Sequence, residues 1–398
     1  MPTPIAIIGA GPAGLTLATL LTRHSIPYTL FERSTAPPSP SPSFSPSPSS
    51  SPSHTAGGSL DIRPGTGQLA LREAGLFDEF RRMARYEDTV VSVFDRAGRR
   101  VFRMGQGRDA PEIDRGELAR VLLGGVPGEN VRWGCGLERA ERGGDGRVVL
   151  RFGNGEVVSG WRLVVGADGA WSQLGWRADA VRSRTLRQRT RNGATLREGS
   201  TATIRSGASL AQRAGAGMSM TVGDKKLILT QRQGDGSYRT YFGLEVPEDF
   251  FRGEGVNLDD LDSTRQLLAG LFIGWADEYQ HMIRHSTDFR VWRLCSFAVE
   301  DIKWKSVPDA TLIGDAAHLS VPNGEGVNLA MADALDLAKK IAEHGLDGLD
   351  KAVEEYEAGM FPRGAKSVSE GLGMTKYMFA EGPGPFVDLM KSYGAVDE

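Results

Sequence analysis

A chain of 398 residues, 40% apolar and 24% charged, can build two domains and has the composition of an ordinary globular protein. Its net charge of −3 gives no whole-chain field to gather nucleic acid or an acidic membrane, and its two cysteines, Cys135 and Cys295, argue against a disulfide framework. There is no basic n-region, the first apolar stretch breaks at Gly9, and no apolar run is long enough to cross a bilayer, so a cytoplasmic protein is expected.

Ile5-Ala6-Ile7-Ile8 reads as a short buried parallel strand. Gly9-Ala10-Gly11-Pro12-Ala13-Gly14 follows it at once. In such a motif Gly9 permits the tight turn, Gly11 lets backbone approach a phosphate, and Gly14 lets the next helix pack on the sheet. Leu15, Leu17, Ala18, Leu20 and Leu21 give that helix its apolar face, and its free N-terminal N–H groups favour an anion. A second strand, Tyr28 to Arg33, ends at Glu32, about 20 residues after the glycines, where a carboxylate can bind ribose hydroxyls. An acid here suits an unphosphorylated ribose, as in NAD or FAD.

Residues Ser34 to Thr55 are almost entirely Ser and Pro, which predicts a disordered or extended surface insertion. A helix is expected from Gly65-Thr66-Gly67-Gln68 through Ala74, stopped at Gly75. A hairpin follows, with Val90 to Phe94 and Arg100 to Phe102 joined through Asp95-Arg96-Ala97-Gly98. Ile113 to Leu118 opens an amphipathic helix, and strands are expected near 131–133, 147–152 and 163–165. The last of these runs into Gly166-Ala167-Asp168-Gly169, a turn that brings a carboxylate to the ligand-binding edge of the sheet.

Arg177 to Met220 holds many arginines and no aromatic residue. It reads as a solvated loop, a basic interaction patch, or a stretch poorly specified for folding. Without aromatics to stack on bases, nucleic-acid binding is disfavoured. Strand signals return at 227–230 and 238–244 around Gly234-Asp235-Gly236, then a helix over roughly 263–272 and a loop toward Trp292. Gly314-Asp315-Ala316-Ala317-His318 delivers a second carboxylate, with His318 read as a structural side chain near a turn. Pro322-Asn323-Gly324-Glu325-Gly326-Val327-Asn328 then starts a helix rich in strong helix formers. Together with the first motif, these features argue for a chain wrapped around one long dinucleotide, FAD. No second strand–GxGxxG–helix unit and no CxxC is present, which disfavours a two-Rossmann or dithiol enzyme.

In this order the motifs resemble the single-component FAD-dependent aromatic hydroxylases (class A flavoprotein monooxygenases), and within them the tetracycline-destructase, TetX-like branch and its fungal relatives. The resemblance covers residues 3–33, 57–172 and 222–398. Between Trp171 and Thr221 the Arg-rich stretch stands where the family leads into its substrate sheet, so relatives' substrate contacts cannot be carried over there.

The resemblance implies a pyrophosphate cradle at Gly9, Gly11, Ala13 and Gly14, with Glu32 on the adenosine ribose and Arg33 beside the adenine. Asp61 and Arg115 fall near the flavin and its ribityl–phosphate chain. Asp168-Gly169 is the motif associated with both FAD and NADPH. Gly314 and Asp315 hold the ribityl and pyrophosphate region. Pro322, Gly324, Gly326, Val327 and Asn328 aim helix-start amides at the flavin pyrimidine edge, where reduced flavin carries negative charge. No catalytic side chain and no metal ligand is assigned, because the flavin carries the chemistry.

The implied fold is α/β: a doubly wound, Rossmann-like FAD-binding domain interleaved with a mainly antiparallel substrate sheet, plus C-terminal helices. Its FAD-binding segments are 1–88, 104–173 and 291–345, with a substrate hairpin at 89–103, the substrate domain at 174–290 and bracing helices at 346–398. The implied activity is hydroxylation of an aromatic or polyketide-like small molecule by O2 through a flavin C4a-hydroperoxide. NADPH or NADH is the expected transient reductant, and a monomer is expected, although sequence alone does not give the oligomeric state. A flavin oxidase or reductase without oxygen insertion, and a non-catalytic FAD-binding paralogue, stay open as alternatives.

Overall fold

In the structure, a computed structural model, residues 5–38, 58–174, 197–204, 213–247, 250, 257 and 260–398 are described. The Ser/Pro reading of 39–55 and the Arg-rich readings of 177–196 and 205–212 lie outside these residues.

The chain opens with β1 (Ile5–Ile8), α1 (Pro12–Arg23) and β2 (Tyr28–Phe31). Next come β3 (Ser59–Asp61), α2 (Leu69–Glu73), α3 (Phe77–Met83), β4 (Val91–Phe94) and β5 (Arg100–Met104). β6 (Glu112–Asp114) runs straight into α4 (Arg115–Leu123), followed by β7 (Val131–Arg132). β8 (Leu137–Arg142), β9 (Val148–Phe152) and β10 (Val157–Ser159) make a small antiparallel sheet. β11 (Leu163–Gly166) returns to the main layer. The second half holds β12 (Arg197–Ile204), β13 (Met218–Gly223), β14 (Lys226–Arg232) and β15 (Tyr238–Glu245). It continues with α5 (Leu261–Leu271), α6 (Asp277–His285), β16 (Thr287–Leu294), β17 (Ala310–Leu312) and α7 (Asp315–His318). It closes with α8 (Gly326–His344), α9 (Leu349–Met378) and α10 (Gly384–Ser392).

The dinucleotide layer is a five-stranded parallel sheet in the order β17-β11-β1-β2-β7. Its central strands are apolar on both faces because helices cover both. Ile8 pairs with Phe31 on one side and Gly166 on the other, so the turns after β1, β2 and β11 leave one edge side by side. Ligands bind at this carboxyl edge in such sheets.

The second layer is a seven-stranded sheet, β16-β12-β15-β14-β13-β4-β5, antiparallel except for the parallel pair β13/β4. Helices α5 and α6 cover one face through Phe272, Trp275, Tyr279, Met282 and Ile283, packed on Ile228, Tyr238 and Phe242. On the other face, Val91, Val93, Met220 and Val222 pack with Phe386 and Val387 of α10. Phe242 is fully buried and meets Phe272 edge-on at 5.7 Å. Phe242→Ala is expected to cost about 3–5 kcal/mol, read from the urea midpoint. A loss below ~1 kcal/mol would contradict this packing.

The α/β architecture expected from the sequence is thus the one the chain forms. One local reading is corrected. The stretch after α5 is not a loop toward Trp292: it forms α6 and then β16. Tyr279, Met282 and Ile283, at helical spacing, give α6 a narrow buried stripe in an otherwise polar segment.

Candidate cofactor and substrate site

The β1–α1 turn is built around glycine. Gly9 has φ +105°, and a Cβ there would lie 2.6 Å from the Ala167 carbonyl oxygen where β11 passes. A Cβ on Gly14 would run into the Gly9 carbonyl. Gly11 differs: it is the extended residue before α1, and a Cβ there would meet nothing within 4 Å. No side chain caps α1 and no acid lies in its first turn, so its N–H groups face this open space.

Glu32 is fixed at the mouth of the turn. Its Oε2 accepts from the Ala10 N–H at 2.7 Å, and its Oε1 accepts from the Ser34 N–H at 2.9 Å and hydroxyl at 2.8 Å. Arg33 is exposed, with its stem against Gly136. Asp168 sits where β11 ends, its Oδ2 accepting from the Gln173 N–H at 2.9 Å. Burial pushes its carboxyl above the usual range, against hydrogen bonds from Ser172 and Gln173 and the charge of Arg33. Among the described residues, no partner reaches the buried Asp168 Oδ1. Gly169, at φ +80°, turns the chain away.

A second cluster of predicted residues is assembled from four segments. Gly314 has φ +61° and ψ −143°, and a Cβ there would press on Ala330 of α8 and Ala13 of α1. It therefore joins the phosphate turn to the α8 end. Asp315 opens to solvent, but protein surrounds it closely, and this burial pushes its carboxyl up. The charges of His318 and Arg115 oppose that push. Asn328 is fully buried: its Oδ1 accepts from the Arg63 N–H at 2.8 Å and its amide donates to the Asp61 carbonyl at 2.8 Å. Arg63 bonds Asp61 Oδ2 at 3.2 Å and pairs with Glu325 at the α8 start. Gly324 has φ +80°, a Cβ on Gly326 would meet nothing within 4 Å, Val327 is half-buried and Pro322 is exposed.

Arg115 begins α4, its N–H donating to the Gly58 carbonyl at 3.3 Å. Gly58 in turn lies against Tyr241 and Gln231 of the large sheet, which brings that sheet over this end of the groove. Burial raises the Tyr241 phenol, while Arg239 and Arg115 pull it down. A cavity of about 350 Å³ elsewhere, at the β4–β5 edge beside Phe94, Arg103 and Arg213, is lined by none of the residues predicted from the sequence.

The structure thus gathers the predicted residues into two contiguous clusters. Gly9, Gly11, Ala13, Gly14, Glu32, Arg33, Asp168 and Gly169 surround the α1 start. Asp61, Arg115, Gly314, Asp315 and the 322–328 run surround the α8 start. Sequence reasoning did not single out Arg63, Gln231, Arg239 or Tyr241. Their only sequence signal is placement, Arg63 two residues after Asp61 and the others on alternating strands.

The parallel sheet and the glycine turn into α1 have the form of a dinucleotide-binding layer. The space at Gly11, the uncapped α1 start, the placed Glu32 and the unsatisfied Asp168 oxygen fit FAD. A family described as an FAD binding domain matches residues 280–370. The chain is similar to the monooxygenase penA of Penicillium thymicola, 28% identical over 92% of each chain. HpxO of Klebsiella pneumoniae, solved with FAD and uric acid, matches with TM-score 0.72 at 20% identity over 98% of this chain and 91% of that one. The tetracycline destructase Tet(55) matches with TM-score 0.67 at 20% identity over 96% and 92%. Over most of its length the chain is thus similar to proteins named as monooxygenases, and it carries a match to an FAD binding domain.

Proposed function

We propose that this protein uses NADPH or NADH and O2 to hydroxylate an aromatic or enolic small molecule held between the flavin end of the groove and the large sheet. The observation that supports this reading is that Gly314 packs between Ala13 of α1 and Ala330 of α8, while Asn328 bonds the Asp61 carbonyl and Gly58 lies against Tyr241, so that the α1 start, the α8 start and the large sheet are neighbours. FAD, when bound, would supply the redox chemistry that links a nicotinamide to O2 and the insertion of one oxygen at an electron-rich carbon.

The chain's own residues bind, orient and shield. The α1 start and Gly11 receive the pyrophosphate, and Glu32 receives the adenosine ribose. Asp315 accepts hydrogen bonds from ribityl hydroxyls, and Arg115 supplies positive charge beside it. The uncapped start of α8 offers N–H groups to an anionic ring edge. Tyr241, Gln231 and Arg239 face this end from the large sheet and make up its polar wall on the substrate side. Covering the groove with that sheet excludes water and strengthens each of these contacts.

Turnover of an electron-rich phenol under 18O2 tests the reading. One labelled oxygen in the product is expected, with NAD(P)H consumed in step. Consumption of NAD(P)H with no label in the organic product would instead make the protein an oxidase or reductase.

A further inference from the structure

Behind the groove, the Gly314–Asp315 turn is held by a charged triad. Asp333 of α8 is fully buried. Its Oδ2 accepts from the Gly314 N–H at 3.0 Å and from His318 Nε2 at 2.5 Å. Its Oδ1 accepts from Arg363 of α9, at 2.8 Å from Nη2 and 3.3 Å from Nε. One carboxylate therefore ties α7, α8 and α9 together. Gly364 lets the next turn of α9 close on the imidazole, since a Cβ there would lie 2.9 Å from the His318 Cβ.

The same helix holds the segments on either side of the turn. Tyr356 donates to the Leu312 carbonyl at 3.0 Å, and Glu357 accepts from Thr311 at 2.7 Å. Ser320 and Asn323 both donate to the Ser367 carbonyl at 3.2 Å. From β17 to the loop before α8, the backbone that bears Asp315 is splinted by α9.

Apolar side chains of similar volume would stabilise a fold at least as well as a buried ionic triad. What they cannot supply is a directional acceptor for the Gly314 N–H in a conformation that side chains avoid, or a fixed charge beside Asp315. We propose that Asp333, gripped by His318 and Arg363, is the positioning residue of the cofactor groove: through the Gly314 N–H and the α7 turn it sets where the Asp315 carboxylate points. This inference rests on the reading of the groove as an FAD site.

The charges facing the triad give it a signature in pH. Burial opposes the His318 imidazolium, but Asp333, by charge and hydrogen bond, and Asp315 outweigh it and hold its pKa above the ordinary value. Asp315 faces His318 on its own helix, Arg115 from α4 and Asp333 from α8. The charges of His318 and Arg115 pull the Asp315 pKa down against its burial, so a neutral side chain at 318 lets Asp315 protonate at higher pH.

The test is the FAD dissociation constant, read by flavin fluorescence from pH 5 to 9, for the wild type, His318→Gln, Arg363→Met and Arg363→Lys, with melting of each protein without FAD as the folding control. His318→Gln is expected to move the acid limb of FAD affinity up by about one pH unit. Affinity is then roughly tenfold weaker along the acid limb and converges on the wild type as pH rises. Arg363→Met weakens FAD at least tenfold and Arg363→Lys restores most of the loss, which keeps the test decisive if His318→Gln does not fold. An unchanged profile in His318→Gln, or a loss uniform in pH with no rescue by Arg363→Lys, overturns the positioning role. A wild type that binds no FAD overturns the cofactor reading itself.

Discussion

Gly14→Val is expected to abolish folding of the dinucleotide layer, whereas Gly11→Asp is expected to leave the fold intact and remove FAD. Both glycines belong to one motif, yet their surroundings are opposite. At Gly14 any Cβ meets the Gly9 carbonyl, a backbone group of the neighbouring turn that cannot rotate away. Overpacking a well-packed site costs about 1–3 kcal/mol even where side chains can yield. Against backbone the cost exceeds that range and consumes most of a stability of about 5–15 kcal/mol.

At Gly11 a Cβ meets nothing, and the backbone is already extended as a helix N-cap requires. Aspartate there caps α1 and complements its dipole, so melting without FAD should be unchanged or slightly higher. The same carboxylate puts negative charge in the space proposed for the pyrophosphate. FAD affinity should fall at least about 100-fold, or roughly 2.7 kcal/mol. Melting curves and FAD titrations on the two variants check this. Retained FAD binding in Gly11→Asp would remove the pyrophosphate from this turn.

Asp333→Ala is expected to destabilise the protein by about 3–5 kcal/mol, because it leaves the His318 imidazolium, the Arg363 guanidinium and the Gly314 N–H without their buried acceptor. The pH dependence has a definite sign. Burial works against the Asp333 carboxylate, but His318 and Arg363 pull its pKa below the ordinary range. Its contribution is therefore present above the ordinary carboxylate value and is lost as pH falls through the lowered one. His318 is raised, so its contribution is present below its ordinary value and is lost as pH rises through the raised one. The deficit of Asp333→Ala, read from urea midpoints, should be largest between these limits and shrink toward acid. A deficit below ~1 kcal/mol at neutral pH contradicts the triad.

What was legible in the sequence was local. The glycines from Gly9 to Gly14 and the acid at Glu32 lie within one β–α–β unit, so spacing alone places them. Asp315 and the 322–328 run were legible for the same reason, as a strand end followed by a helix start. The Arg63–Glu325 pair was not, because nothing near Arg63 in sequence points to the α8 start. His318 was read as a structural side chain near a turn, and its partner Asp333 was not legible because it lies across a loop on the next long helix, with Arg363 on the one after. β8 went unread because only Ala140 along it is buried, so it shows no apolar alternation. Tyr241 faces the groove only because the large sheet folds over Gly58. Strand patterning alone reports that a residue lies on one face, not what that face covers.

The visible spectrum of the purified protein, titrated with FAD and then with NADPH in the absence of air, tests the central claim most directly. The account predicts bound flavin, with bands that bleach on adding NADPH and return on admitting O2. A folded protein that takes up no FAD would contradict it.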